Sequence, residues 1–142
     1  MPKVFTSEKQ RIGEIGKNIA CRFLVKQGFT IIERNYTKKW GEIDIVAERG
    51  AKLYFVEVKS VTRDLSNVNS DLPAGKAGTL DQYKPEDNMH PWKLKRLSRT
   101  IQTYLVSMKI PEDKEWQVDL AVVFLDFKTK KAKVKLVNDL IL

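Results

Sequence analysis

The stretch "GEIDIVAERGAKLYFVEVKS", residues 41–60, constrains the fold more than any other part of the chain. Two β-rich hydrophobic runs flank "ERGAK", which has the composition of a hairpin turn, with Gly50 able to take positive φ. The expected strands are Glu42 to about Ala47 and Leu53 to about Lys59. Alternate residues of a strand share a face. Glu42 and Asp44 therefore point one way, with Ile43 and Ile45 opposite. In the second strand Phe55, Glu57 and Lys59 share a face, and Tyr54, Val56 and Val58 take the other. Paired as a hairpin, the strands bring Asp44 and Glu57 together near one end of a sheet. Converging carboxylates repel each other and lose solvation when buried. A cation between them relieves both costs, and magnesium often takes only one or two protein carboxylates. On residues alone, a metal site stands even with an ordinary Glu57–Lys59 surface pair.

The rest of the chain supplies elements to surround that hairpin. Thr6 or Ser7 can cap a helix running to about Gln27, with Gly28 as its stop. Ile12, Ile15, Ile19, Phe23 and Leu24 recur at helical spacing and form its core face. "TIIERNY" reads as a strand, and "KKWGE" as the turn after it. Residues 61–90 lack periodicity and carry scattered Gly, Pro, Asp, Asn and Ser, so they read as a long loop. Pro91 suits the first turn of a second helix, with an apolar stripe of Leu94, Leu97, Ile101, Tyr104, Leu105 and Met108. "WQVDLAVVFLDF" and "AKVKLVNDLIL" read as closing strands, the last residues being open to helix as well. The order α-β-β-β-loop-α-β-β gives an α/β domain, with a central mixed sheet flanked by helices. At 142 residues this is a single domain.

Charge is distributed in blocks. Residues 1–40 carry +6, residues 41–90 carry −3, and residues 91–110 carry +5 with no acidic side chain. Two basic segments bracket an acidic centre, the pattern of a polyanion-binding surface around an acidic site. No apolar run approaches the roughly 18 residues needed to span a bilayer. The N-terminus lacks the apolar core of a signal peptide, so a cytoplasmic protein is expected. Cys21 is the only cysteine, which excludes an internal disulfide and a cysteine zinc cluster. It reads as a packing residue. His90 is the only histidine and reads as a loop or helix-cap residue. "PAGKAGT" fails the phosphate-loop pattern, because Ser70 stands where Gly is required and Ala77 follows the lysine. Trp40, Trp92 and Trp116 are each open to base stacking or to packing.

The hairpin resembles the signature of the PD-(D/E)XK nuclease superfamily. More closely, the chain resembles the YraN-like family of small endonuclease-like proteins, related in fold to archaeal Holliday-junction resolvases. The likeness extends to "GKNIACRFLVKQGFTIIERNY", "KLKRLSRTIQTYL" and "VDLAVV" near Asp119. It implies a restriction-endonuclease-like fold and metal-dependent hydrolysis of DNA phosphodiesters, leaving 5′-phosphates. By fold analogy it also implies branched or otherwise structured DNA as substrate. It implies Mg2+ or Mn2+ held by Asp44, Glu57 and the carbonyl of Val58, with Lys59 as catalytic lysine and Glu42 in support. It further implies phosphate contacts from Lys93 and, with the basic helix, Arg96. DNA is the expected partner, no membrane is involved, and a homodimer is allowed. Two positions depart from the pattern. The glutamate usual in the first helix is Lys17 here, available to the carboxylates or to DNA phosphate. Glu14, one turn earlier, lies nearly opposite the apolar stripe and is poorly placed to substitute, so it is at most a supporting residue. Val61 occupies a place usually held by Arg. Lys17 therefore also supports an alternative, a nucleic-acid-binding module with the nuclease fold and weak or no catalysis.

Overall fold

The computed structural model describes residues 7–63 and 90–142. Most of the expected 61–90 loop, and Thr6, lie outside the described residues. Val61 and Thr62 instead extend a strand. The elements follow the expected order: α1 (Glu8–Lys26), β1 (Thr30–Lys38), β2 (Gly41–Arg49), β3 (Lys52–Thr62), α2 (Pro91–Ser107), β4 (Glu115–Asp126) and β5 (Lys131–Val137). Residues after Val137 are not helical; Leu140 instead donates its N–H to the Val118 carbonyl at 2.7 Å.

The five strands form one sheet in the order β1-β2-β3-β4-β5. β1, β2 and β3 form an antiparallel meander, β3 pairs in parallel with β4, and β5 returns antiparallel. This is the mixed sheet of the restriction-endonuclease-like fold. Ser7 caps α1 by accepting the Gln10 N–H at 3.1 Å, and Gly50 takes φ 63° in the β2–β3 turn. The uninterrupted "LAVVFL" run is explained by β4, which is buried on both faces from Val118 to Asp126.

Each helix covers one face. On the α1 side, Ala20 and Leu24 pack on Ile45, Ala47, Tyr54, Val56, Ala121, Val123 and Leu125. On the α2 side, Leu97, Ile101 and Tyr104 pack on Tyr36, Ile43, Val46, Leu53, Phe55 and Val118. Ile12, Ile15, Ile19 and Phe23 join the first cluster at its margin, as their spacing predicts. Met108 does not join the α2 core; it is the C-cap residue and nearly half exposed. Cys21 packs against the α1-side cluster, and burial pushes its thiol pKa up.

One expectation about facing needs correction. Ile43 and Ile45 do not share a face: Ile43 belongs to the α2-side core and Ile45 to the α1-side core. The simple alternation of β2 breaks between them. Its neighbour turns over at the same place, since Arg34 lies opposite Ile45, Tyr36 lies opposite Ile43, and Asn35 between them has φ 56°. Asn is among the few residues that tolerate this conformation.

The start of β2 lies close against α2. A Cβ built on Gly41 would meet Thr100 Oγ1 at 2.7 Å and the Arg96 carbonyl oxygen at 3.2 Å. Thr100 is fully buried and its hydroxyl is already committed to that carbonyl, at 2.7 Å. The glycine of "GEID" is thus a packing requirement. Gly41→Ala is expected to destabilise the protein by about 1–3 kcal/mol, the usual cost of overpacking. Urea denaturation measures this, and an unchanged midpoint would show that α2 has room to move away.

Candidate active site

The β2–β3 ladder runs from Arg49↔Lys52 to Ile45↔Val56 and stops there. Beyond that pair β2 stays with β1, through Ile43, Glu42 and Gly41, while β3 stays with β4 through Thr62. The sheet forks, and Asp44 and Glu57 are the first residues past the last pair. Both are buried, with 3% and 8% exposure. Asp44 spans the fork by accepting the Val58 N–H on Oδ2 at 2.8 Å. Its carboxylate takes the place of the strand partner that Val58 has lost.

A lysine from each helix meets one carboxylate. Lys17 Nζ, from α1, lies 3.4 Å from Asp44 Oδ1 and 3.8 Å from Glu42 Oε1, and donates to Asn35 Oδ1 at 2.8 Å. Lys93 Nζ, from the first turn of α2, lies 3.2 Å from Glu57 Oε1. Glu42 and Asp44 therefore do face the same way, towards α1, whereas Glu57 is met from the α2 side. These groups open into a cleft of about 500 Å3 whose lining includes Lys9, Lys17, Val58, Lys59, Ser60 and Lys93. Lys59 is exposed there. Lys9, Gly13 and Lys17 follow one another at four-residue intervals and line the cleft along one side of α1. Gly16 lets that helix approach β3: an added Cβ would fall 1.8 Å from Ser60 Oγ.

Electrostatics at the fork are dominated by burial. It raises the pKa of Asp44, against the opposing effects of the Val58 N–H and Lys17. Burial also raises Glu57, with the neighbouring Asp44 adding to it and Lys93 opposing, to about 7. A pair of carboxylates short of positive charge is the consequence, even with two lysines in place.

The structure gathers Glu42, Asp44, Glu57, Val58, Lys59, Lys17 and Lys93 at one cleft. Arg96 lies beside it: its Nε donates to the Trp40 carbonyl at 2.7 Å, tying the β1–β2 turn to α2. Glu14 does not line the cleft. It pairs with Arg34 of β1 at 3.4 Å and so is no substitute for the helix glutamate. Lys9, Asn35 and Ser60 escaped the sequence reading. Helical spacing from Lys17 would have found Lys9, but nothing local marks Ser60, whose buried hydroxyl has no hydrogen-bond partner. Asp119, fully buried, accepts from Gln117 Nε2 at 2.7 Å and the Asp139 N–H at 2.9 Å, away from the cleft lining. Among the described residues, no three or more His, Cys, Asp or Glu side chains converge as a metal-holding group. The oxygen donors on the lining include the carboxylates of Glu42, Asp44 and Glu57, the Ser60 hydroxyl and main chain.

Comparison with known proteins places this chain in a family. Residues 16–125 match the Uncharacterised protein family UPF0102, the YraN-like family. The chain belongs to it. A UPF0102 protein of Campylobacter fetus subsp. fetus is 33% identical over 76% of this chain and 79% of its own length. One from a Sulfurovum species is 34% identical over 87% of this chain and 86% of its own. One from Thermotoga petrophila is 36% identical over 66% and 70%. The matched region includes the fork, Lys17 and α2. Among the described residues no helix is long and apolar enough to cross a membrane.

Glu57 gives the site a pH signature. In the unfolded chain its proton leaves near 4.5, and in the fold near 7. Between those values the folded protein binds more protons, so stability from this group falls as pH rises through the window. The metal-free protein is expected to lose stability between pH 5 and pH 8, with Glu57 contributing on the order of 3 kcal/mol or less. Urea titrations at several pH values should show a flatter dependence in Glu57→Gln. An identical dependence in that variant would mean that Glu57 is ionised throughout.

Proposed function

We propose that the fork is the centre of a metal-dependent DNA endonuclease that hydrolyses phosphodiester bonds. The observation that carries this reading is the burial of Asp44 and Glu57 side by side where two strands part. Such burial costs several kcal/mol per ion and contributes nothing to the hydrophobic core. The donor set fits Mg2+ or Mn2+: hard oxygen ligands, few from protein, and a cleft with space for water and a phosphate. Asp44, Glu57 and the Val58 carbonyl would hold the ion. When bound, it would supply charge neutralisation and a more acidic water.

The chain's own residues divide the remaining work. Lys59 projects into the cleft from the strand that carries Glu57, where an ammonium can orient the attacking water and stabilise negative charge developing on phosphorus. Lys93 and Lys9 lie on the lining as sites for backbone phosphate. The positive blocks at 1–40 and 91–110 extend that attraction along the strand, so binding should weaken steeply with salt. A second reading rests on Lys17, which already occupies the Asp44 carboxylate at 3.4 Å. With that ammonium as permanent counter-ion, the same surface binds DNA and does not cut it.

Metal titration separates the two. Isothermal calorimetry with Mn2+ is expected to show binding that Asp44→Asn and Glu57→Gln abolish, alongside loss of DNA cleavage. Lys17→Gln removes a competing cation and is expected to tighten Mn2+ binding by about tenfold, equivalent to about 1.4 kcal/mol. A wild-type protein that binds DNA but takes up no Mn2+ and cuts no substrate supports the second reading. Cleavage unaffected by Asp44→Asn would place the chemistry elsewhere.

A further inference from the structure

The first turn of α2 carries an indole that the core does not use. Trp92 is 57% exposed, unlike Trp40 and Trp116, which are partly buried. Arg99 covers the Trp40 ring at 4.3 Å, and Trp116 packs edge-on against Phe55 at 5.6 Å. Exposing a large aromatic to water forgoes the burial that normally keeps it inside. Two side chains neighbour the Trp92 ring. The His90 ring lies parallel to it within 9°, with centroids 6.3 Å apart, and the Arg96 guanidinium sits 5.4 Å from its centroid. Arg96 is itself fixed by its bond to the Trp40 carbonyl.

Trp92 borders a second cavity, of about 260 Å3, which Lys93, Arg96 and Leu97 also line. Glu42, Glu57 and Lys93 line both this cavity and the carboxylate cleft, so the two are adjacent. A phosphate drawn to Lys93 therefore has Trp92 within one residue of its binding group. The surrounding segment, residues 91–110, has five basic side chains and no acidic one, which suits a phosphate-bearing ligand. In an uninterrupted duplex the faces of the bases are hidden in the stack. Away from duplex ends, only an unpaired base offers a free π-face to an indole.

We propose that Trp92 is a base-stacking ledge, and that the substrate is DNA with an unpaired nucleotide next to the phosphate at Lys93: a single-stranded tail, flap or branch point in preference to continuous duplex. The position of that phosphate rests on the nuclease reading above, but stacking on Trp92 requires neither metal nor cleavage.

The test is a binding measurement in EDTA at fixed salt, with a short single-stranded oligodeoxynucleotide and a blunt duplex as probes. Trp92→Ala is expected to weaken single-strand binding about tenfold, within the range measured for base–aromatic stacking. Trp92→Phe should keep most of the affinity, and duplex binding should be unchanged in both. Single-stranded DNA should quench tryptophan fluorescence in the wild type and much less in Trp92→Phe. An unchanged single-strand affinity in Trp92→Ala, or an equal loss for single strand and duplex, would overturn the ledge. A thermal melt checks that the variant folds, as expected for an exposed side chain. Separate assays with Mn2+ keep the readings apart. Trp92-dependent binding without any cleavage leaves the ledge and removes the nuclease, while cleavage without Trp92-dependent binding does the reverse.

Discussion

Two carboxylates are held out of water where β2 and β3 separate, and much of the architecture serves that arrangement. The hydrogen bond from the Val58 N–H to Asp44 Oδ2 links the diverging strands just where the ladder between them ends. A main-chain donor at a sheet fork would otherwise be left without a partner, at a cost of about 1–3 kcal/mol. The charged side chain thus repairs the backbone defect that makes room for it. The apolar core bears the remaining cost. Ile43, Ile45, Phe55 and Val56 flank the fork and are fully buried, each contributing about 1.5–3 kcal/mol by burial.

The helices act as suppliers of positive charge as well as covers for the sheet. α1 brings Lys17 to Asp44 and α2 brings Lys93 to Glu57, from opposite faces. Neither lysine neutralises its partner fully, because burial still holds both carboxyl pKa values above the ordinary range. Their roles differ. Lys17 is largely enclosed, with a side-chain exposure of 17%, and is also anchored by Asn35. Lys93 is 42% exposed and is better able to exchange a carboxylate for a phosphate.

Much of this could be read from the chain because its local signals agree with its global fold. The hairpin turn at Gly50, the helix starts near Ser7 and Pro91, and the apolar stripe of α1 all have period or turn chemistry behind them. The convergence of Asp44 and Glu57 followed from strand pairing. What could not be read was the fork itself. Alternation assumes a regular strand, and β2 departs from it between Ile43 and Ile45, opposite a left-handed Asn35. The pairing of Lys93 with Glu57 was equally hidden, since it depends on where α2 docks after a long connection. Glu14 was legible: the helical wheel already set it away from the place of the missing carboxylate, and the geometry gives it to Arg34.

The parallel pairing of β3 with β4 has a consequence for how the cleft comes into being. The β1–β2–β3 meander needs only short connections, so its contacts are local and close quickly. β3 meets β4 only after the intervening crossover, and Lys52 then lies opposite Glu115. Lys93 belongs to that crossover. A nascent chain can therefore bring Asp44 and Glu57 together well before the helix that carries their second ammonium has docked. Assembly of the meander then opposes two like charges, and arrival of α2 relieves them. Docking of α2 and the arrival of the second ammonium at the fork are therefore one event.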